Sequence, residues 1–288
     1  MTATSNRRAG RWQFWIDRGG TFTDIVAERP DGARVTHKLL SENPEQYGDA
    51  AIAGIRALME LDDDAPFPEV DVGVVKMGTT IATNALLERK GEPTLLAVTR
   101  GFRDGLRIGY QNRPKIFALH IELPEMLYSR VVEIDERIRA DGAVERPVDL
   151  DAAERDFRTA FEDGFRSIAI VLMHGYRHAA HETALADLAR RLGFTQISVS
   201  HRVSPLIKFV ARGDTTVVDA YLSPVLGRYV SQVREAVGDT RLMFMQSSGG
   251  LAEAGNFEGK DAILSGPAGG IVGAARIAEE AGFDKIIG

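Results

Sequence analysis

The sequence contains no cysteine. That absence excludes disulfides, thiolate nucleophiles and thiolate metal sites together. No apolar run comes near the roughly 20 residues that a membrane helix requires, so no membrane contact is expected. Positive charge is also short: the net charge is −6, and no stripe of lysine and arginine interleaves with aromatics, so no nucleic-acid surface is expected. The opening MTATSNRRAGR has basic residues but no apolar stretch behind them, which is not the pattern of a secretory signal. Residues 1–11 read as a disordered leader, and the location expected is cytoplasmic. What remains is a chain of 288 residues, 44% hydrophobic and 26% charged. It has the composition of a globular protein and the length for two modest domains or one large one.

Periodicity divides the chain into α/β elements. Gln13 to Asp17 and Thr23 to Glu28 read as the strands of a hairpin, with Gly32 to Leu40 as a third strand. Asn43 and Pro44 look like the N-cap and first residue of a helix whose apolar face carries Ala50, Ala53, Ile55, Ala57, Leu58 and Leu61. A buried strand from Val70 to Met77, a helix from Ile81 to Lys90 stopped by Gly91, and a strand from Thr94 to Thr99 suggest a parallel βαβ unit. Arg130 to Ile138 alternates like a half-buried strand, and Asp151 is placed to cap a helix from Ala152 to Asp163. SIAIVLMHGY, HETALADLARRLG and QISVS make a second βαβ unit. A long helix from Thr215 to Val237 contains Pro224. A strand then breaks at Gly249 and Gly250, a helix opens at Ser265 and Pro267, and DKIIG reads as the start of one more strand.

Three stretches carry more chemistry than their structure needs. In DRGGTFTD, Gly19 and Gly20 let the backbone approach a ligand closely, and successive N–H groups in such a turn form an anion-binding concavity. Thr21 and Thr23 add hydroxyls. Asp17 and Asp24 repel a phosphate directly but suit Mg²⁺ and its waters, which bridge to phosphate oxygens. The alternative is a glycine hairpin with solvated acidic ends. In GTTIATNALLERKG a helix opens at the carboxyl end of a buried strand, where α/β sheets bind ligands. Thr79, Thr80 and Asn84 would border that ligand, or the threonines merely cap the helix. LSGPAGGIVGAA brings Gly266, Ala268, Gly269, Gly270 and Gly273 together, for close helix packing or ligand contact.

These stretches, with TRGFRD, LYSRVVEIDERI, HGYRHAAHE, RGDTTVVDAYLSPVLGRYV and MQSSGGL, together resemble the hydantoinase/oxoprolinase family. The resemblance runs in the family's order from about Trp12 to Gly288. RIGYQNRPKIFALHI and GKDAILSGPAGG are similar to its ATP-dependent 5-oxoprolinase branch. The resemblance implies an actin-like ATPase (ribonuclease H-like) α/β lobe with mixed sheets and an additional α/β subdomain. It implies domains at about 12–200 and from 201 to 288, the second truncated. It also implies ATP and Mg²⁺ as cofactors, with Asp17 as the catalytic, Mg²⁺-positioning carboxylate. Gly19, Gly20, Thr21, Thr23, Asp24, Thr79, Thr80 and Asn84 would bind the nucleotide.

The implied reaction is ATP-dependent opening of the 5-oxoproline lactam to glutamate. The alternatives are a hydantoin or N-methylhydantoin amidohydrolase and a non-catalytic nucleotide-binding module. Family members continue into a second phosphate loop and an adenosine region, so this chain implies half an ATP site, inactive alone. The C-terminal remainder, on the same chain or a partner subunit, is the implied partner beside the small lactam. The oligomeric state stays open, a homodimer among the options. In RIGYQNRP, Arg107, Tyr110, Asn112 and Arg113 suit a substrate carboxylate, because the guanidinium fork binds it bidentately. A surface loop with its arginines in salt bridges is the competing reading. His174, His178 and His181 have no partner at metal-site spacing and read as surface and capping residues, and SSGG lacks the surroundings of a nucleophile elbow.

Overall fold

The computed structural model describes residues 10–62, 65–111 and 115–287. Residues 1–9 of the expected leader lie outside that range. Contacts gather the described chain into two compact units, one running up to Asn84 and resuming at Leu226, the other Ala85–Val225.

The first unit is built on a six-stranded sheet. Its strands are β1 (Trp12–Arg18), β2 (Phe22–Glu28), β3 (Arg34–Leu40), β4 (Val72–Thr79), β11 (Leu242–Met245) and β12 (Leu251–Glu253), in the order β12-β11-β4-β1-β2-β3. β1 and β2 form the expected antiparallel hairpin, and β4 runs parallel to both β1 and β11. Side chains alternate across a strand. Phe14, Ile16, Ile25, Val75 and Met77 therefore enter one face, where α1 (Ala50–Leu58) supplies Ile55 and the end of α7 (Phe209–Val237) supplies Tyr229, Val233 and Val237. Trp15, Asp17, Asp24, Lys76 and Gly78 are left on the other face, beside α9 (Ser265–Glu280).

The second unit holds a four-stranded, all-parallel sheet. Its order is β10 (Gln196–Val199), β9 (Ser167–Val171), β5 (Thr94–Thr99) and β6 (Tyr128–Ile134). Every residue of β5 and β9 is buried, as expected of parallel strands covered on both faces. Leu95, Ala97, Ile168 and Ile170 meet Phe157 of α4 (Leu150–Glu162) and Leu185 of α5 (Ala180–Leu192). Leu96, Val98, Ala169 and Val171 meet Leu106 of the short α3 (Gly105–Ile108) and Val217 and Ala220 of α7. The remaining pieces are α2 (Ile81–Leu87), the hairpin β7 (Arg137–Ile138) with β8 (Val144–Arg146), α6 (Ser200–Val203) and α8 (Gly259–Ala262).

Several expectations are corrected. The helix expected from Pro44 begins at Ala50. The Asn43 carbonyl accepts from Gln46 and Tyr47 in a single turn, and Asp49 provides the cap by accepting from the Ile52 N–H. β4 and β5 belong to different sheets, so they form no βαβ pair. α2 ends at Leu87, and the left-handed residue behind it is Arg89 (φ 57°) rather than Gly91. The Lys90 N–H returns to the Ala85 carbonyl at 2.9 Å, which is the bond of a Schellman turn. Asp149 rather than Asp151 caps α4. Residues 284–287 form no strand.

His181 is buried, not a surface residue, and its Nδ1 lies 2.7 Å from Glu136. Its neighbour Glu182 is wholly buried at the carboxyl ends of β9 and β10. Glu182 accepts from the Leu172 N–H (2.9 Å), the Ser200 hydroxyl (2.5 Å) and the His201 N–H (3.0 Å), and its carboxylate is 2.7 Å from His201 Nδ1. Arg212, also fully buried, donates to the carbonyls of Leu172, Met173 and Leu206. These two side chains tie the strand ends of the second unit together. Glu182→Ala orphans three donors and an imidazole at once, so it is expected to cost about 3–5 kcal/mol, measurable by urea unfolding.

Candidate functional site

The β1–β2 hairpin places Asp17 directly opposite Asp24, with Gly19, Gly20 and Thr21 in the turn. The turn is narrow: the Gly19 N–H donates to the Phe22 carbonyl at 3.0 Å, and a Cβ on Gly19 would stand 2.9 Å from that oxygen. Ser41, at the end of β3, secures it from below. Its hydroxyl donates to the Gly19 carbonyl (2.7 Å) and lies 3.0 Å from the Thr23 hydroxyl, and its N–H donates to the Thr21 carbonyl (2.9 Å). Thr23 is therefore buried on the core side of the sheet. Among the described residues, no acceptor is bonded to the N–H groups of Gly20 and Thr21. The turn thus presents two adjacent free donors, as an anion-binding nest does.

The junction of β4 with α2 meets this turn. The Thr80 N–H and hydroxyl both donate to the Arg18 carbonyl, at 3.1 and 3.3 Å. Asn84 Nδ2 donates to the Thr80 hydroxyl at 3.4 Å and stands 3.4 Å from where a Cβ on Gly20 would be. Thr79 is buried, and its carbonyl accepts from the Ser265 hydroxyl at 2.8 Å, which anchors the start of α9. The hairpin, Thr80, Asn84 and the start of α9 thus share one corner of the first unit.

From that corner a cleft of about 540 Å³ runs along the open face of the sheet. Asp17, Asp24 and Gly78 line its polar end, Trp15, Lys76, Met245 and Leu251 its floor, and Ser265, Gly266, Gly269 and Gly270 of α9 its wall. The missing Cβ of Gly78 leaves room for the Asp17 carboxylate, whose Oδ1 would otherwise stand 3.3 Å from it.

The two aspartates are not equivalent. Asp24 is held by Lys38 at 2.8 and 3.0 Å. Asp17 is exposed and makes no hydrogen bond or ion pair among the described residues. Like charges directly opposite across a hairpin are destabilising. A hydrated divalent cation at Asp17 relieves that repulsion, so the donor set suits Mg²⁺ bound largely through water. Ser41, Lys76, Met245 and Ser265 did not stand out in the sequence as site residues. Only strand register shows which face each occupies.

Arg107 and Tyr110 line a separate cavity of about 590 Å³ within the second unit, with Leu106, Met126, Tyr128 and Asp214. Burial pushes the Tyr128 hydroxyl up, against the lowering pull of Arg107, and raises the Asp214 carboxyl. Asn112 and Arg113 lie outside the described residues. No group of three or more metal-ligating side chains occurs among the described residues, and none of their helices is long and apolar enough to cross a membrane.

Comparison with known proteins bears on the whole chain. The family model for the hydantoinase/oxoprolinase N-terminal region matches residues 13–193, and the hydantoinase/oxoprolinase model matches 212–288. A 5-oxoprolinase of Dictyostelium discoideum is 42% identical over 296 residues, covering 91% of this chain and 23% of that protein. The chain thus spans about a quarter of that relative's length. The crystal structure of the ATP-dependent caprolactamase from Pseudomonas jessenii superposes with a TM-score of 0.80 at 30% identity, covering 94% of this chain and 41% of that one. Nucleotide-free acetone carboxylase gives a TM-score of 0.79 at 24% identity, with the same two coverages, a likeness of fold alone.

The turn geometry separates its two glycines. Gly19→Ala drives a methyl against a backbone carbonyl that cannot swing away, so it is expected to cost about 1–3 kcal/mol. Gly20→Ala meets only an amide nitrogen at 3.4 Å and is expected to cost under about 0.5 kcal/mol. Paired thermal melts test the contrast.

Proposed function

Since the chain belongs to the hydantoinase/oxoprolinase family, we propose that it is the N-terminal part of an ATP-dependent cyclic-amide hydrolase. The complete enzyme converts 5-oxoproline, ATP and water to glutamate, ADP and phosphate. The observation that carries this reading is the cleft of the first unit, where a glycine turn with free N–H groups and an unpaired aspartate share one corner. A lactam is a poor electrophile, because nitrogen donates into its carbonyl. Transfer of the phosphoryl group to the amide oxygen, with loss of the N–H proton, makes an imidate phosphate whose oxygen has become part of a leaving group. Water adds at the ring carbon, the C–N bond breaks as nitrogen takes up a proton, and a further water displaces phosphate from the acyl phosphate to give the free carboxylate.

The residues of this chain divide the work. The N–H groups of Gly20 and Thr21 receive phosphate oxygens, and Thr80 and Asn84 hold the turn in position. Asp17 orients Mg²⁺ and its waters, and Asp24, already neutralised by Lys38, shapes the outer side. Bound Mg²⁺ neutralises charge on the transferring phosphoryl group. Arg107 and Tyr110 are assigned to the carboxylate of the substrate, for which a guanidinium fork is suited. The caprolactamase likeness supports the cyclic-amide class, and the 5-oxoprolinase likeness supports this member of it. The use of ATP agrees with a cytoplasmic location.

The test is made on the complete enzyme that carries these residues. Asp17→Asn is expected to lower turnover about 10²-fold, the scale for loss of one electrostatic positioning group. The same change removes the repulsion with Asp24, so the melting temperature should hold or rise slightly. Parallel losses of rate and melting temperature would make Asp17 a structural carboxylate. ADP release measured with 5-oxoproline, hydantoin and caprolactam decides the substrate.

A further inference from the structure

Lys76 stands in the middle of the sheet, on the floor of the cleft. It lies on β4, flanked by β1 on one side and β11 on the other, opposite Trp15 and Met243. Its neighbours Val75 and Met77 are fully buried in the core, so alternation commits Lys76 to the floor of the cleft. The side chain is half-buried, with Nζ 5.1 Å from the centre of the Trp15 ring. Among the described residues it has no hydrogen bond and no ion pair, and it is the one cation that lines the cleft. Lys38 on β3 of the same sheet is spent on Asp24. Stacking on an indole is worth about 0.5–1 kcal/mol and holds the stem over the ring, while it leaves the N–H donors of the ammonium without a protein acceptor among the described residues.

We infer that Lys76 is a ligand-binding residue of the cleft, supplying positive charge to a polyphosphate whose other end rests on the glycine turn. The inference rests on the ATP reading above. Lys76 stands opposite Trp15, five residues before Gly20, a strand rise of about 16 Å that the flexible stem of lysine and the length of the polyphosphate bridge together. A lysine serves phosphate as a compact point charge with rotatable donors. Phosphoryl transfer spreads charge over three equatorial oxygens, so it needs positive charge from more than one direction. Asp17 with its cation provides one direction and the free N–H groups of the turn a second. Lys76 provides the third, from the floor.

The experiment compares Lys76→Met, Lys76→Gln and Lys76→Arg in the complete enzyme. Calorimetric binding of Mg·ADP and of Mg·tripolyphosphate is measured beside the steady-state constants for ATP and for the lactam. Both uncharged variants should bind Mg·tripolyphosphate at least tenfold more weakly and raise KM for ATP, leaving KM for the lactam within twofold. Lys76→Arg, which keeps the charge, should recover most of the binding. If either folded uncharged variant binds Mg·tripolyphosphate within twofold of the unmodified enzyme, the inference is overturned. It is equally overturned if the change falls on the lactam constant instead. A different result, no binding of any polyphosphate by the unmodified enzyme, would remove the ATP reading itself.

Discussion

The parallel pairing of β1 with β4 is the constraint on which the cleft depends. It sets Asp17 beside Gly78 and Trp15 beside Lys76, so one register decides both the polar end and the floor. A one-residue slip of β1 would turn Asp17 into the core and expose Ile16, and the same slip of β4 would bury Lys76 and expose Met77. That slip is prevented from the opposite side. Phe14, Val75, Met77 and Phe244 are each at most 1% exposed against α1 and α7, and burial of side chains of this size is worth about 1.5–3 kcal/mol apiece. The hydrophobic core of the first unit therefore fixes the positions of charges that lie on its other face.

The second unit meets a related problem at its strand ends. Four parallel strands finish together, and their last backbone groups need partners once helices cover both faces. Glu182 and Arg212 meet that need from opposite signs of charge, the first accepting N–H and O–H groups, the second donating to carbonyls. Glu136 does the same at β6, accepting from the Thr99 hydroxyl and meeting His181, while Thr99 in turn accepts from the Met173 N–H. Buried charges that each hold several partners favour one arrangement of the strand ends, since a shifted one leaves those partners short.

Much of the fold was legible because it is written in short-range alternation. Phe14 and Ile16 against Trp15 and Asp17 mark a one-sided strand, and the unbroken apolar runs of β5 and β9 mark strands covered twice. The glycine pair between two aspartates marked the corner of the cleft. What was not legible is long-range. Nothing local in TLLAVT says that β5 pairs with β6 and β9 rather than with β4. Asn43–Pro44 is as good an N-cap pair as Asp49 offers, and only the turn closed by Tyr47 decides between them. His181 finds Glu136 across 45 residues, and Ser41 finds Gly19 across 22. Lys76 looked like one polar residue in an apolar strand. Its place on the cleft floor appears only when the register sets Trp15 beside it and no carboxylate bonds to it.

The charges of the cleft are arranged one by one along the sheet. Asp24 and Lys38 neutralise each other at the rim, exposed, where such a pair is worth little. Asp17 and Lys76 sit two residues apart in register on adjacent strands, the spacing of a diagonal pair, and do not pair. The lysine instead leans over Trp15, which keeps its charge available and its stem out of water. An ion pair between them would add little stability at the surface. Holding them apart leaves a site that attracts a cation at one point and an anion at the next. A metal-chelated polyphosphate carries both signs of charge, and under the reading proposed above Asp17 would hold its divalent ion and Lys76 would meet its oxygens.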